Sequence, residues 1–97
     1  MTFIATAQVP TPSAARYIGR LCKHFQHKLP VEFDQQQGRI EFPFGLCLLS
    51  ASAEHLDLQV QAGQAEERQR LEEVVGSHFA RFAWQAELNL EWVVAQE

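Results

Sequence analysis

The sequence predicts a single α+β domain, a two-layer sandwich in which one antiparallel sheet carries two helices on the same face. Three observations predict it. Two segments with helical periodicity, at about 12–28 and 64–82, flank a block of short segments that alternate with period two. The alternating segments are apolar on one side and polar on the other, which gives the sheet one dry and one wet face. The chain has 97 residues, of which 46% are apolar and 21% charged, the size and composition of one globular domain over residues 1–97.

The elements follow in order. FIATAQV (3–9) is rich in β-formers, and alternation sets Phe3, Ala5, Ala7 and Val9 on one face. PTPS (10–13) breaks the strand; Thr11 or Ser13 suits a helix N-cap, and Pro12 fits an early helical position. The first helix then carries Ala14, Ile18, Leu21, Cys22, Phe25 and Leu29 on one stripe. Pro30 stops it, because the residue before a proline avoids the α region. VEFD (31–34) and RIEF (39–42) alternate on either side of QQQG, which reads as a hairpin with Gly38 supplying the turn. PFG (43–45) is a second turn.

LCLLSAS (46–52) is apolar on both faces, as expected of a central strand. In HLDLQVQA (55–62), Leu56, Leu58, Val60 and Ala62 point in, while His55, Asp57, Gln59 and Gln61 point out. The second helix places Leu71, Val74, Val75, His78 and Phe82 on its inner stripe, with Glu66 and Glu67 in the first turn, where they complement the helix dipole. ELNLEWVVA (87–95) reads as a last strand, with Leu88, Leu90, Trp92 and Val94 alternating against polar residues. The order β-α-β-β-β-β-α-β resembles one repeat of the TATA-binding-protein fold; such a likeness of element order carries no function.

Several function classes are excluded or disfavoured. The N-terminal segment lacks the basic n-region and long apolar core of a signal peptide, and no run approaches a membrane span, so a cytoplasmic location with no membrane partner is expected. Cys22 and Cys47 are the only cysteines and are expected to be free, buried thiols; without a CxxC, neither a zinc-ribbon nor a thioredoxin reading has support. GxGxxG, P-loop, HExxH and GxSxG motifs are all absent. No catalytic residue, metal site or cofactor is assigned, and a non-enzymatic role is favoured.

Charge is unevenly placed. The net charge is −4, yet residues 1–31 contain four basic residues and no acid, whereas residues 32–97 contain four basic residues and all twelve acids. LCKHFQHK (21–28) concentrates this asymmetry. On a helix His24 and His27 lie roughly 60° apart and share a face, while Cys22 lies roughly 160–220° away on the apolar stripe, so the three cannot ligate one metal. The plainer reading is two solvated histidines. Arg16, Arg20, Lys23, His24 and His27 form an unmixed cationic stripe with Lys28 and Tyr17 at its margin, which suits an anionic small molecule or an acidic protein partner. A second copy of the chain is one such partner, because Glu66, Glu67, Glu72 and Glu73 line the second helix.

Two further features carry weaker expectations. If Asp34 lies opposite Arg39, Glu32 faces Glu41, a like-charge pair that can share a proton or hold a hard cation, and one register sets Cys47 beside Glu41. His78, on an apolar stripe, is expected to be a packing residue with one hydrogen bond. Nucleic acid is disfavoured, because Glu32, Asp34, Glu41 and Asp57 on the wet face repel phosphates.

TPSAARYIGRLCKHFQHKLPVEFDQQQGRIEFPFG, LEEVVGSHFARFAW and LNLEW together resemble a family of small bacterial domains, domain of unknown function 2218. The family has no established activity, so the resemblance implies no catalytic residue. It implies a context instead: such domains occur beside, or fused to, siderophore-interacting flavin reductases of bacterial iron uptake. The leading expectation is a cytoplasmic accessory domain that binds an anionic ligand or an acidic partner, such as a siderophore-interacting reductase, through the six basic residues. The rivals are a metal- or haem-binding protein using His24 and His27, and a small enzyme built on Glu32, Glu41 and Cys47.

Overall fold

A computed structural model describes residues 2–83 and 91–94. The elements are β1 (Phe3–Pro10), α1 (Ala14–Phe25), β2 (Val31–Phe33), β3 (Gln37–Phe42), β4 (Gly45–Ala51), β5 (His55–Ala62), α2 (Ala65–Ala83) and β6 (Val93–Val94). This is the expected order. The strands form one open antiparallel sheet in the order β2-β3-β4-β5-β1-β6. Both helices pack on one face of it. α1 crosses from β1 to the far edge and seats on β2, β3 and β4, while α2 covers β5, β1 and β4.

Alternation explains which strand residues meet the helices. Ala5 and Val9 of β1, Ile40 of β3, Cys47 and Leu49 of β4, and Leu56, Leu58, Val60 and Ala62 of β5 all join one core with Ala14, Ile18, Leu21, Cys22 and Phe25 of α1. The β5 alternation and the inner stripe of α1 therefore lie where periodicity set them, with Leu29 packed at the core margin.

The hairpin between β2 and β3 differs from the expectation. Its register is Val31↔Ile40, Glu32↔Arg39 and Phe33↔Gly38. The turn is closed by Asp34, whose carboxylate Oδ1 accepts from the backbone N–H of Gln36 (2.7 Å) and of Gln37 (2.8 Å). Those two donors hold the Asp34 carboxyl below its ordinary range. An Asx turn thus does the work assigned to glycine. Gly38 instead lies inside β3, beneath α1, where a Cβ would stand 2.9 Å from Cys22 Sγ and 3.2 Å from Ile18 Cγ2. The missing side chain lets the helix seat on the sheet and fixes which face of α1 looks outward.

α2 also departs from its expected stripe. Its buried residues are Arg68, Leu71, Val75, Phe79 and Ala83, while Val74, His78 and Phe82 are only half-buried. The helix packs on the sheet through one row and meets α1 through the next, so its apolar arc is wider than one stripe. Arg68 enters the core margin because its guanidinium Nε donates to Glu72 at 2.9 Å, one turn along the helix. At the C-terminus, Val93 pairs with Thr6 and Val94 with Ala5, and Trp92 packs on the core. Val94 lies opposite the core-facing Ala5, yet at the sheet edge it stays 44% exposed. The rest of the expected strand, including Leu88 and Leu90, lies outside the described residues.

Cys22 and Cys47 are free and fully buried. Burial pushes the Cys22 thiol up to about 11 and the Cys47 thiol higher still, with Cys22 itself adding to the second effect. Only a thiolate attacks, so the native protein should leave an aromatic disulfide reagent unreacted at mildly alkaline pH, and both thiols should titrate once denaturant is added. A fast-reacting thiol in the native state would contradict this burial.

Candidate functional site

Of the two described helices, α1 is the one whose charged residues are all of one sign. The helix begins after Ser13, whose side chain makes no cap; instead Thr11 Oγ1 accepts from the Ser13 N–H at 3.1 Å. No acid occupies the first turn, and Lys23 and His24 stand in the last, where they complement the negative end of the dipole. Regular helix ends at Phe25, three residues short of the sequence-based limit, so His27 and Lys28 sit in the turn that follows. The Leu29 N–H still bonds the Phe25 carbonyl at 3.0 Å, which keeps that turn folded against the helix end.

Arg16, Arg20, Lys23, His24, His27 and Lys28 are all exposed. Among the described residues the ion pairs are Arg39–Glu41 (3.2 Å), His55–Asp57 (3.2 Å) and Arg68–Glu72 (2.9 Å), and none involves these six. Among the described residues Arg39 and Arg68 are set beside acids, whereas no base of α1 is.

The two histidines of this face have different surroundings. The His24 ring leans on α2, 4.5 Å from the ring of His78 at 44°, 5.1 Å from Phe25 and 5.9 Å from Phe82, centroid to centroid. Desolvation lowers its pKa, and the charges of His78, Arg81, His27 and Lys28 lower it further. His78 is half-buried, and its Nδ1–H donates to the Val74 carbonyl at 2.7 Å, the packing role expected of it. This fixes the tautomer and leaves Nε2 as the free edge. The sequence offered no sign that His24 and His78 would meet, because their contact depends on how two helices lie across a sheet. The groove they share, of about 440 Å³, is lined by His24, Phe25, His27, Lys28, Leu29 and His78.

The other candidates come apart. Glu32 faces Arg39 rather than Glu41, and Glu41 pairs with Arg39 at 3.2 Å. Cys47 lies opposite Ile40 and is buried, whereas Glu41 is exposed opposite Leu46, so thiol and carboxylate occupy opposite faces of the sheet. Glu32 and Glu41 line one surface pocket, but Arg39 lies there with them and Cys47 is on the other face, so the three do not form one site. No group of three or more His, Cys, Asp and Glu side chains among the described residues could hold a metal ion. No helix among the described residues is long and apolar enough to cross a membrane.

No curated protein matches the chain. A solved structure does: the NMR structure of PA4090 from Pseudomonas aeruginosa superposes with a TM-score of 0.79 at 35% identity, covering 94% of this chain and 95% of that one. The likeness covers nearly the whole of both chains, so the two share this fold. Residues 6–93 match the family described as "Uncharacterized protein conserved in bacteria (DUF2218)", and the chain belongs to that family.

Proposed function

We propose that the domain is a non-enzymatic binding module that docks on an acidic protein partner through Arg16, Arg20, Lys23, His24, His27 and Lys28. The observation that supports this reading is the absence, among the described residues, of any ion pair on that face, although the chain is acidic overall. A like-signed surface repels itself and gains from an opposite surface, chiefly through faster encounter and correct register. A siderophore-interacting reductase is the partner class to test first, following the context that the sequence resemblance implies. A second copy of the chain is the weaker partner, since Glu72 is already held by Arg68.

Titration of the labelled domain with a purified siderophore-interacting reductase should broaden amides of residues 16–28. The double charge reversal Arg20→Glu with Lys23→Glu should weaken binding by at least about 10-fold, and added salt should do the same to the parent protein. Binding that survives both changes would mean that the partner docks elsewhere. Broadening in the absence of reductase, growing with protein concentration, would assign the face to self-association.

A further inference from the structure

We propose that the groove between the end of α1 and α2, lined by His24, Phe25, His27, Lys28, Leu29 and His78, binds a small aromatic carboxylate. This goes beyond the docking face and does not rest on it, because the groove reaches inward to α2 and its walls are apolar.

Its size fits one or two rings: about 440 Å³, within the roughly 300–1,000 Å³ typical of small-molecule sites. Its walls are rings. Phe25 lies edge-on to His24 at 5.1 Å and tilted to His78 at 4.9 Å, and Phe42 continues the cluster at 5.3 Å from Phe25. A flat apolar ligand extends such a cluster through the same edge and offset contacts. Its rim is cationic. Lys28 supplies a fixed positive charge and His27 a second donor, and no Asp or Glu is among the lining residues. Apolar walls with a basic rim call for a ligand with an apolar body and one negative end. A bare phosphate would leave the walls unused, and a neutral ring would leave the rim unused.

The same surroundings couple binding to protons. The groups whose charges act on His24 are His78 and Arg81 from α2 and His27 and Lys28 from its own segment, all of them bases. Desolvation against α2, with these charges added to it, holds His24 neutral at a pH where a free imidazole is partly charged. A carboxylate in the groove supplies the missing counter-charge, so binding draws a proton onto His24 and tightens as pH falls.

The test is an amide-resolved titration of the labelled protein with 2-naphthoate at pH 6 and pH 8. The expected result is saturable shifts at residues 24–29 and 78, with affinity at least about 5-fold tighter at the lower pH. 2-Naphthamide and cyclohexanecarboxylate should each bind at least about 5-fold more weakly than 2-naphthoate, since one lacks the charge and the other the ring. The variant His24→Gln, at an exposed position, should keep the fold and flatten the pH ratio; Arg20→Glu with Lys23→Glu should leave naphthoate binding in place even where it abolishes docking. The inference is overturned by an absence of shifts at these residues, by equal binding of either analogue, or by an unchanged pH ratio in His24→Gln.

Discussion

Phe79→Ala is expected to destabilise the domain by about 3–5 kcal/mol, the cost of emptying a fully buried aromatic position. Among the described residues Phe79 is the largest side chain with no exposure, and its ring meets Tyr17 of α1 edge-on at 5.2 Å. It therefore touches the core and the helix–helix contact at once, and neither side can collapse into the space without moving a helix. For a domain of this size the loss is a large part of a total of about 5–10 kcal/mol and should lower the melting temperature by roughly 12 °C or more. Phe82→Ala is the informative comparison. Helical periodicity alone puts Phe82 on the inner stripe and leaves Phe79 off it, whereas the fold leaves Phe82 half-buried. The alanine at 82 should cost clearly less than the alanine at 79, by urea or thermal denaturation. The opposite ranking would mean that α2 is rotated by about a residue from the packing described. Because Phe79 sets how α1 lies against α2, its removal should also disturb the groove at His24 and His78 in whatever protein remains folded.

That one-residue difference on α2 shows where sequence reading succeeds and where it stops. β5 was legible because a strand with one wet face has only two choices for each side chain, and HLDLQVQA makes the same choice eight times. α1 was legible because its polar and apolar arcs are sharply divided. α2 touches two neighbours, so apolar residues spread over adjacent rows and periodicity cannot say which row is central. The hairpin failed for a different reason: Gly38 and Asp34 both suit a turn, and only the seating of α1 shows that the glycine is needed beneath the helix. The basic face was visible because it needs only one helix. The His24–His78 contact was not, because its residues lie on two helices and no local pattern links them. Surface charge is thus the part of the candidate site written locally, and the groove is the part written only in the fold.

Glycine-to-alanine substitutions give the sharpest contrast, because the same added methyl should have opposite signs at two positions. At Gly45, which opens β4 after the Pro43–Phe44 turn, a Cβ would stand 2.5 Å from the Gln61 carbonyl oxygen, 2.5 Å from Leu71 Cδ1 and 3.3 Å from Ala62 Cβ. Leu71 has no exposure and little room in which to turn. The Gln61 carbonyl belongs to β5, which is paired on both sides, with Leu46 of β4 and Ile4 of β1 opposite Gln61, so it cannot retreat without disturbing one ladder or the other. Gly45→Ala should therefore cost about 2–4 kcal/mol, beyond the usual range for one methyl forced into a core, because backbone rather than a flexible side chain stands in the way. At Gly19, inside α1, a Cβ would meet nothing within 4 Å. There alanine should stabilise by about 0.5–1 kcal/mol, by restricting the unfolded chain and favouring helix. Paired urea titrations of the two variants read both signs against one parent. Destabilisation at Gly19 would mean that this part of α1 is covered in solution by something the single chain does not show. A neutral result at Gly45 would mean that β4 and β5 are farther apart at this turn than the fold places them, and the packing of α2 through Leu71 would need to be redrawn with them.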